Sequence, residues 1–146
     1  MLHEYLGPDG KPVTSVKVGD ELTVRVRLRA VDRPFVSSVA IVDLLPGGFE
    51  VVLTPGGAES KSSAGTGVTR RLASGGTWNA INVDVREDRV LLYGVALREL
   101  HEYTYRIRAT NVGRFVAPPA YAEALYEPLV RARSLPSRIT VERPSR

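Results

Sequence analysis

Few side chains in this 146-residue sequence are equipped for chemistry, and their spacing argues against most of it. There is no cysteine, which removes a catalytic thiol, a thiolate metal site, a disulfide frame and a thioester from within the chain. The two histidines, His3 and His101, stand far apart without a metal-ligand neighbour at the usual spacing, and are expected at surface or strand-edge positions. No G-x-S-x-G elbow presents a serine nucleophile. Asp84, Glu87 and Asp88 cluster in V-D-V-R-E-D-R, where acids serve a tight turn better than they serve as a catalytic pair. In T-P-G-G-A-E-S-K-S, Pro55 and Ser60 stand where a phosphate loop needs glycine, and no amphipathic helix follows. Trp78 is expected as a core plug at the return of a loop, and Tyr103 and Tyr105 as core tyrosines that tie down a strand by their hydroxyls. The expectation is a protein that is not an enzyme and takes neither metal nor cofactor.

One stretch stands apart. F-V-A-P-P-A-Y-A-E-A-L-Y-E-P, Phe115 to Pro128, opens on a proline pair that cannot extend a helix or a central strand. It then presents Tyr121, Leu125 and Tyr126. An apolar, aromatic segment framed by prolines is placed against something, either the domain's own core or a partner's surface.

The elements that must position these residues are strands. Glu21 to Val31 alternates strictly, with Leu22, Val24, Val26, Leu28 and Ala30 on one face and Arg25, Arg27 and Arg29 on the other, so it reads as a half-buried antiparallel strand. His101 to Thr110 repeats the pattern, with Tyr103, Tyr105, Ile107 and Ala109 inward. Between them, Phe35 to Leu45 is apolar on both faces, and L-P-G-G-F-E turns into a short strand at Val51 to Leu53. Ala80 to Arg86, with Ile81, Val83 and Val85 inward, and Arg89 to Leu97 form a hairpin. Lys11 to Lys17 reads as a polar connector, and Pro55 to Thr77, rich in glycine and serine, as one long loop. Asn111 to Gly113 is expected to turn a hairpin into Arg114 to Ala117, and Arg138 to Glu142 is a last strand before a frayed tail. Eight or so strands at intervals of about ten residues, with no helical window, predict a single all-β domain over residues 1–146, an antiparallel fibronectin- or immunoglobulin-like β-sandwich.

The net charge of +4 and a pI near 9.7 invite a nucleic-acid reading. The arginines, however, alternate with buried aliphatics and not with stacking rings, so they read as the wet face of a sheet. No apolar run is long enough to span a bilayer as a helix, and no direct membrane insertion is expected.

Four blocks, V-K-V-G-D-E-L-T-V (Val16 to Val24), V-D-L-L-P-G-G-F-E (Val42 to Glu50), V-D-V-R-E-D-R-V-L-L-Y-G (Val83 to Gly94) and Y-R-I-R-A-T-N-V-G-R-F-V-A-P-P-A-Y-A-E-A-L-Y-E-P (Tyr105 to Pro128), together resemble the C-terminal macroglobulin-like domain of bacterial alpha-2-macroglobulins. The resemblance implies a fragment of a much larger protease trap. Its parent would be periplasmic, anchored to the inner membrane as a lipoprotein, and would capture proteases through a thioester in a separate domain. The partners implied are that thioester domain and the trapped proteases. A competing expectation is a periplasmic adhesive or protein-binding module that docks to a cell-wall enzyme such as a peptidoglycan synthase. The family's A-E-A-M-Y motif, whose last two residues cover the reactive bond, falls on Leu125 and Tyr126, with leucine in place of methionine; Tyr121 is expected at the same interdomain contact. Animal relatives carry a receptor-binding helix after the P-x-G-F turn. This sequence has no helical period there, so receptor binding is not implied.

Overall fold

The computed structural model describes residues 1–55 and 70–144. Fifteen strands follow in chain order: β1 (Leu2–Leu6), β2 (Ser15–Lys17), β3 (Glu21–Leu28), β4 (Phe35–Leu44), β5 (Phe49–Val51), β6 (Leu53–Pro55), β7 (Arg70–Leu72), β8 (Ser74–Gly76), β9 (Asn82–Val85), β10 (Arg89–Leu97), β11 (His101–Ala109), β12 (Gly113–Ala117), β13 (Tyr121–Ala124), β14 (Glu127–Arg133) and β15 (Ser137–Glu142). No described residue is helical. One sheet runs β1-β3-β11-β5, with β8 also pairing to β11; the other runs β14-β13-β4-β10-β9. All pairs in both are antiparallel. A small sheet, β12-β15-β2, and the β6-β7 pair complete the set.

The alternation seen in the sequence builds the core. Leu22, Val24, Val26 and Leu28 of β3, and Tyr103, Tyr105 and Ile107 of β11, are buried on one side. From the opposite sheet come Val39 and Ile41 of β4 and Val90 and Leu92 of β10, and all of these join one cluster. Each aliphatic side chain sealed in this way contributes roughly 1.5–3 kcal/mol of transfer free energy.

The outward row of the first sheet is wet, but it is not bare. Arg25 pairs with Glu4 at 2.7 Å and Arg27 with Glu102 at 3.3 Å. Glu21 receives both Arg106 at 3.0 Å and Arg108 at 2.7 Å. The Arg108 hydrogen bond, aided by the charge of Arg106, holds the Glu21 carboxyl below the usual carboxylate range. This lattice engages Arg25 and Arg27 of the basic row, while Arg29 lies beyond the end of β3. At the β9–β10 turn, Asp84 binds Arg86 at 2.8 Å and Asp88 binds Arg89 at 2.6 Å, so these acids serve the turn.

Several expectations are corrected. His3 is not at the surface: its side chain is 2% exposed and inserted between the sheets. Ile81 is not inward but 76% exposed. The inward space at its register is filled by the Trp78 ring, which lies so close to Gly94 that a Cβ there would sit 2.7 Å from the indole Cζ2. Asn111 to Gly113 makes no hairpin, because β12 pairs with β15 and not with β11. The chain leaves the main sheet there so that Phe115 meets Phe49 edge to face, 6.4 Å between centroids, and closes the end of the sandwich. Gly48, at φ 80°, lies under that ring, where a Cβ would be 2.5 Å from Phe115. The supposed connector contains β2, which pairs in parallel with β15. The long loop contributes β7 and β8 at its return, and the Lys61 run lies outside the described residues.

Candidate functional site

β13 lies beside β4 in the register Tyr121↔Val42, Ala122↔Ile41, Glu123↔Ala40, Ala124↔Val39. The period of two sends Ala122 and Ala124 into the core, at 6% and 3% exposure, and Tyr121 and Glu123 outward. The chain then reverses through Leu125 and Tyr126 and returns as β14, with Ala124 opposite Glu127 and, after a register shift, Glu123 opposite Arg131. The shift takes up Pro128, Leu129 and Val130, which blunt the free edge next to the turn.

Two hydrogen bonds hold the turn against β4 and the loop that precedes it. The Leu125 backbone N–H donates to the Ser38 carbonyl at 2.9 Å, and an Arg33 guanidinium N–H donates to a Glu127 carboxylate oxygen at 2.8 Å. The receiving segment carries two non-glycine residues at positive φ, Asp32 at 62° in the loop before β4 and Ser38 at 52° within β4, where its pairing with β10 shifts register, a conformation that side chains adopt at some cost. The turn is therefore pinned, and its side chains point away from the domain: Leu125 is 49% exposed and Tyr126 83%. Tyr121 is elsewhere. It lies at the opposite end of β13, where its hydroxyl donates to Glu123 at 2.8 Å. A cleft of about 220 Å³ opens near the turn between the two sheets, lined by Ala30, Val36, Val39, Ala122 and Ala124 with Arg29 and Arg131 at its mouth.

Among the described residues, the one cluster with the composition of an active site is sealed. Asp43, fully buried on β4, accepts the Tyr105 hydroxyl at 2.7 Å and faces His3 Nε2 at 3.1 Å through the same oxygen, while its other oxygen has no partner. The His3 ring meets Tyr5 edge to face at 4.9 Å. These groups come from β1 and β11 of one sheet and β4 of the other, so they form a polar clamp across the sandwich. The signal for it was present in the sequence: with Val39 and Ile41 inward, period two places Asp43 inward as well. The expectation that Tyr105 anchors a strand by its hydroxyl holds, and its partner is this acid. Among the described residues no group of three or more histidines, cysteines and acids is placed to hold a metal.

Burial, reinforced by the charge of Asp43, pushes the Tyr5 and Tyr105 phenols well above the ordinary tyrosine range. A folded-state pKa above the unfolded value of about 10 adds stability below that pH, and the contribution is lost as pH rises past it. In an alkaline titration followed by phenolate absorbance, Tyr5 and Tyr105 are therefore expected to ionise only in the step in which the circular dichroism signal collapses. Ionisation of all six tyrosines near pH 10 with native dichroism retained would contradict the clamp.

Residues 3–128 match the family described as Bacterial Alpha-2-macroglobulin MG10 domain. The chain is 41% identical over 140 residues to an alpha-2-macroglobulin homolog of Yersinia pestis, aligning 90% of this chain with 7% of that protein. It is 36% identical over 130 residues to an alpha-2-macroglobulin of Pasteurella multocida, covering 89% of this chain and 6% of that protein. A crystal structure of native alpha-2-macroglobulin from Escherichia coli, spanning domain MG7 to the C-terminus, superposes with a TM-score of 0.73 at 23% identity, over 97% of this chain and 23% of that one. The chain thus spans 7% or less of the length of these two curated relatives.

Proposed function

The chain belongs to the bacterial alpha-2-macroglobulin family as an MG10 domain, and from that membership we propose that it is a shielding domain of a periplasmic protease trap. In this reading the Leu125–Tyr126 turn packs over the thioester of a separate domain of a longer parent protein, and lets go when a protease cuts the parent elsewhere. The observation that carries it is the turn itself: a tyrosine 83% exposed, on a hairpin end held by two hydrogen bonds, with no share in its own core. A thioester survives only while water and amines are kept from its carbonyl, and a leucine beside an aromatic ring excludes both at little conformational cost. Release then needs only an interface with two states. Leucine in place of the family's methionine keeps volume and apolarity and gives up adaptability. The domain itself contributes no catalytic group. We place the parent in the periplasm, as a lipoprotein on the inner membrane, on the strength of the family resemblance.

The test is methylamine uptake and free-thiol release by the full-length parent, wild type against Tyr126→Gly. Faster loss of the thioester in the variant, without any cut by a protease, is the expected result. Equal rates in a folded variant would remove Tyr126 from the shield, and no thiol released from either protein would leave a trap without covalent capture.

A further inference from the structure

The two outer faces of the sandwich differ in kind. The outer face of the β1-β3-β11-β5 sheet is the arginine–glutamate lattice, in which each charge is met by another on the same sheet. The outer face of the other sheet is apolar through its middle. There Leu91 stands opposite Val42, Tyr93 opposite Ala40 and Leu97 opposite Phe35, all directed away from the core, because their neighbours Val90, Leu92 and Ala96 are the buried set. Exposure along this row increases toward the Leu125–Tyr126 turn and reaches 39% at Leu97 and 56% at Phe35. Backbone hydrogen bonds join the segments at that end: Ala30 N–H to the Leu97 carbonyl at 2.7 Å, Arg98 N–H to Pro34 at 3.0 Å, and Leu125 N–H to Ser38 at 2.9 Å. The acids at the margins are internally engaged, Glu123 by Tyr121 and Asp84 by Arg86. The face therefore offers an apolar row between β4 and β10 that continues toward the turn, with Arg131 and Arg133 of β14 exposed along its margin.

We propose that this face, anchored by the Phe35–Leu97 pair, is a docking surface for an apolar patch on the same parent domain that receives the Leu125–Tyr126 turn. The inference rests on the reading of the turn given above and adds to it the area that holds the contact closed. One exposed tyrosine ring buries too little apolar surface to hold two domains together, since stable interfaces bury many residues around a few central anchors. Phe35 and Leu97 supply those further anchors beside the turn. The occupant is another part of the parent because curated relatives place a segment of this length within a chain more than ten times longer, and because an exposed apolar row of this kind marks a protein–protein contact.

The test uses the full-length parent with Leu97→Cys or, as a control on the lattice face, Arg106→Cys, and measures maleimide labelling of each by peptide mass spectrometry. Leu97→Cys is expected to label at least about tenfold more slowly than Arg106→Cys, and to catch up once the trap has been cut by a protease. Equal labelling in the uncut protein overturns the docking face. Protection that disappears on dilution, together with a change in sedimentation, would make the occupant a second copy and overturn the proposal as stated. Protection of Leu97→Cys alongside unchanged amine uptake in Tyr126→Gly would retain the docking face while removing the shielding role, so the two readings fail separately.

Discussion

Replacing Asp43 by alanine is expected to destabilise the domain by about 3–5 kcal/mol, read as a lower urea midpoint at unchanged slope. The carboxylate joins β4 to both β1 and β11, and it is completely buried. Its removal leaves the Tyr105 hydroxyl and the His3 imidazole facing each other across an apolar interior. Each orphaned group then carries a desolvation cost of about 1–3 kcal/mol. Removing the whole cluster should be far milder. A variant with His3→Leu, Asp43→Leu and Tyr105→Phe is expected to recover most of the lost stability, because apolar groups of similar size often replace a buried polar set without net cost. A triple variant as unstable as Asp43→Ala would show that packing around β4, and not unmet polarity, sets the penalty.

Trp78→Ala is expected to cost a comparable amount, about 3–5 kcal/mol. The indole is 4% exposed, its N–H donates to the Val95 carbonyl at 2.8 Å, and its ring meets Tyr103 edge to face at 6.2 Å. It also rests on Gly94, where any Cβ would intrude to 2.7 Å. Gly94→Ala should therefore destabilise mainly through that ring, with the Asn79 carbonyl oxygen at 3.3 Å a second and milder contact. The double variant Trp78→Ala with Gly94→Ala is expected to be more stable than the sum of the two losses predicts, since the clash disappears with the ring. Strict additivity in a thermal or urea double-mutant cycle would mean that Gly94 is required for some other reason.

Strands whose instructions are local could be read in advance. β3 and β11 alternate over eight and nine residues, and each inward side chain expected of them is buried. β10 was found with both ends in place, because Glu87 and Asp88 mark its turn. β2 and β14 could not be found in this way. Ser15–Lys17 is too short and polar to show a period, and it is a strand only because β15, more than a hundred residues later, lies beside it in parallel. β14 is exposed on most of its length, so nothing in its hydrophobicity distinguishes it from a loop.

The candidate site divides along the same line. That Leu125 and Tyr126 are candidates followed from their residue types and from the family motif they resemble, but their position at the pinned end of a hairpin depends on Ser38 of β4 and on Arg33 in the loop before it. The burial of His3 has the same origin: one histidine near a chain end has no period to betray it, and only the arrival of Asp43 and Tyr105 from other strands draws it inside. What the amino-acid sequence determined by itself was the all-β class, the inward faces of the long strands and the absence of a thiol, since these depend on composition and on a period of two within a single segment. Which faces meet, which polar groups are sealed together and which apolar residues are left without cover were decided only in the tertiary structure, because each depends on a contact between residues that the sequence holds far apart.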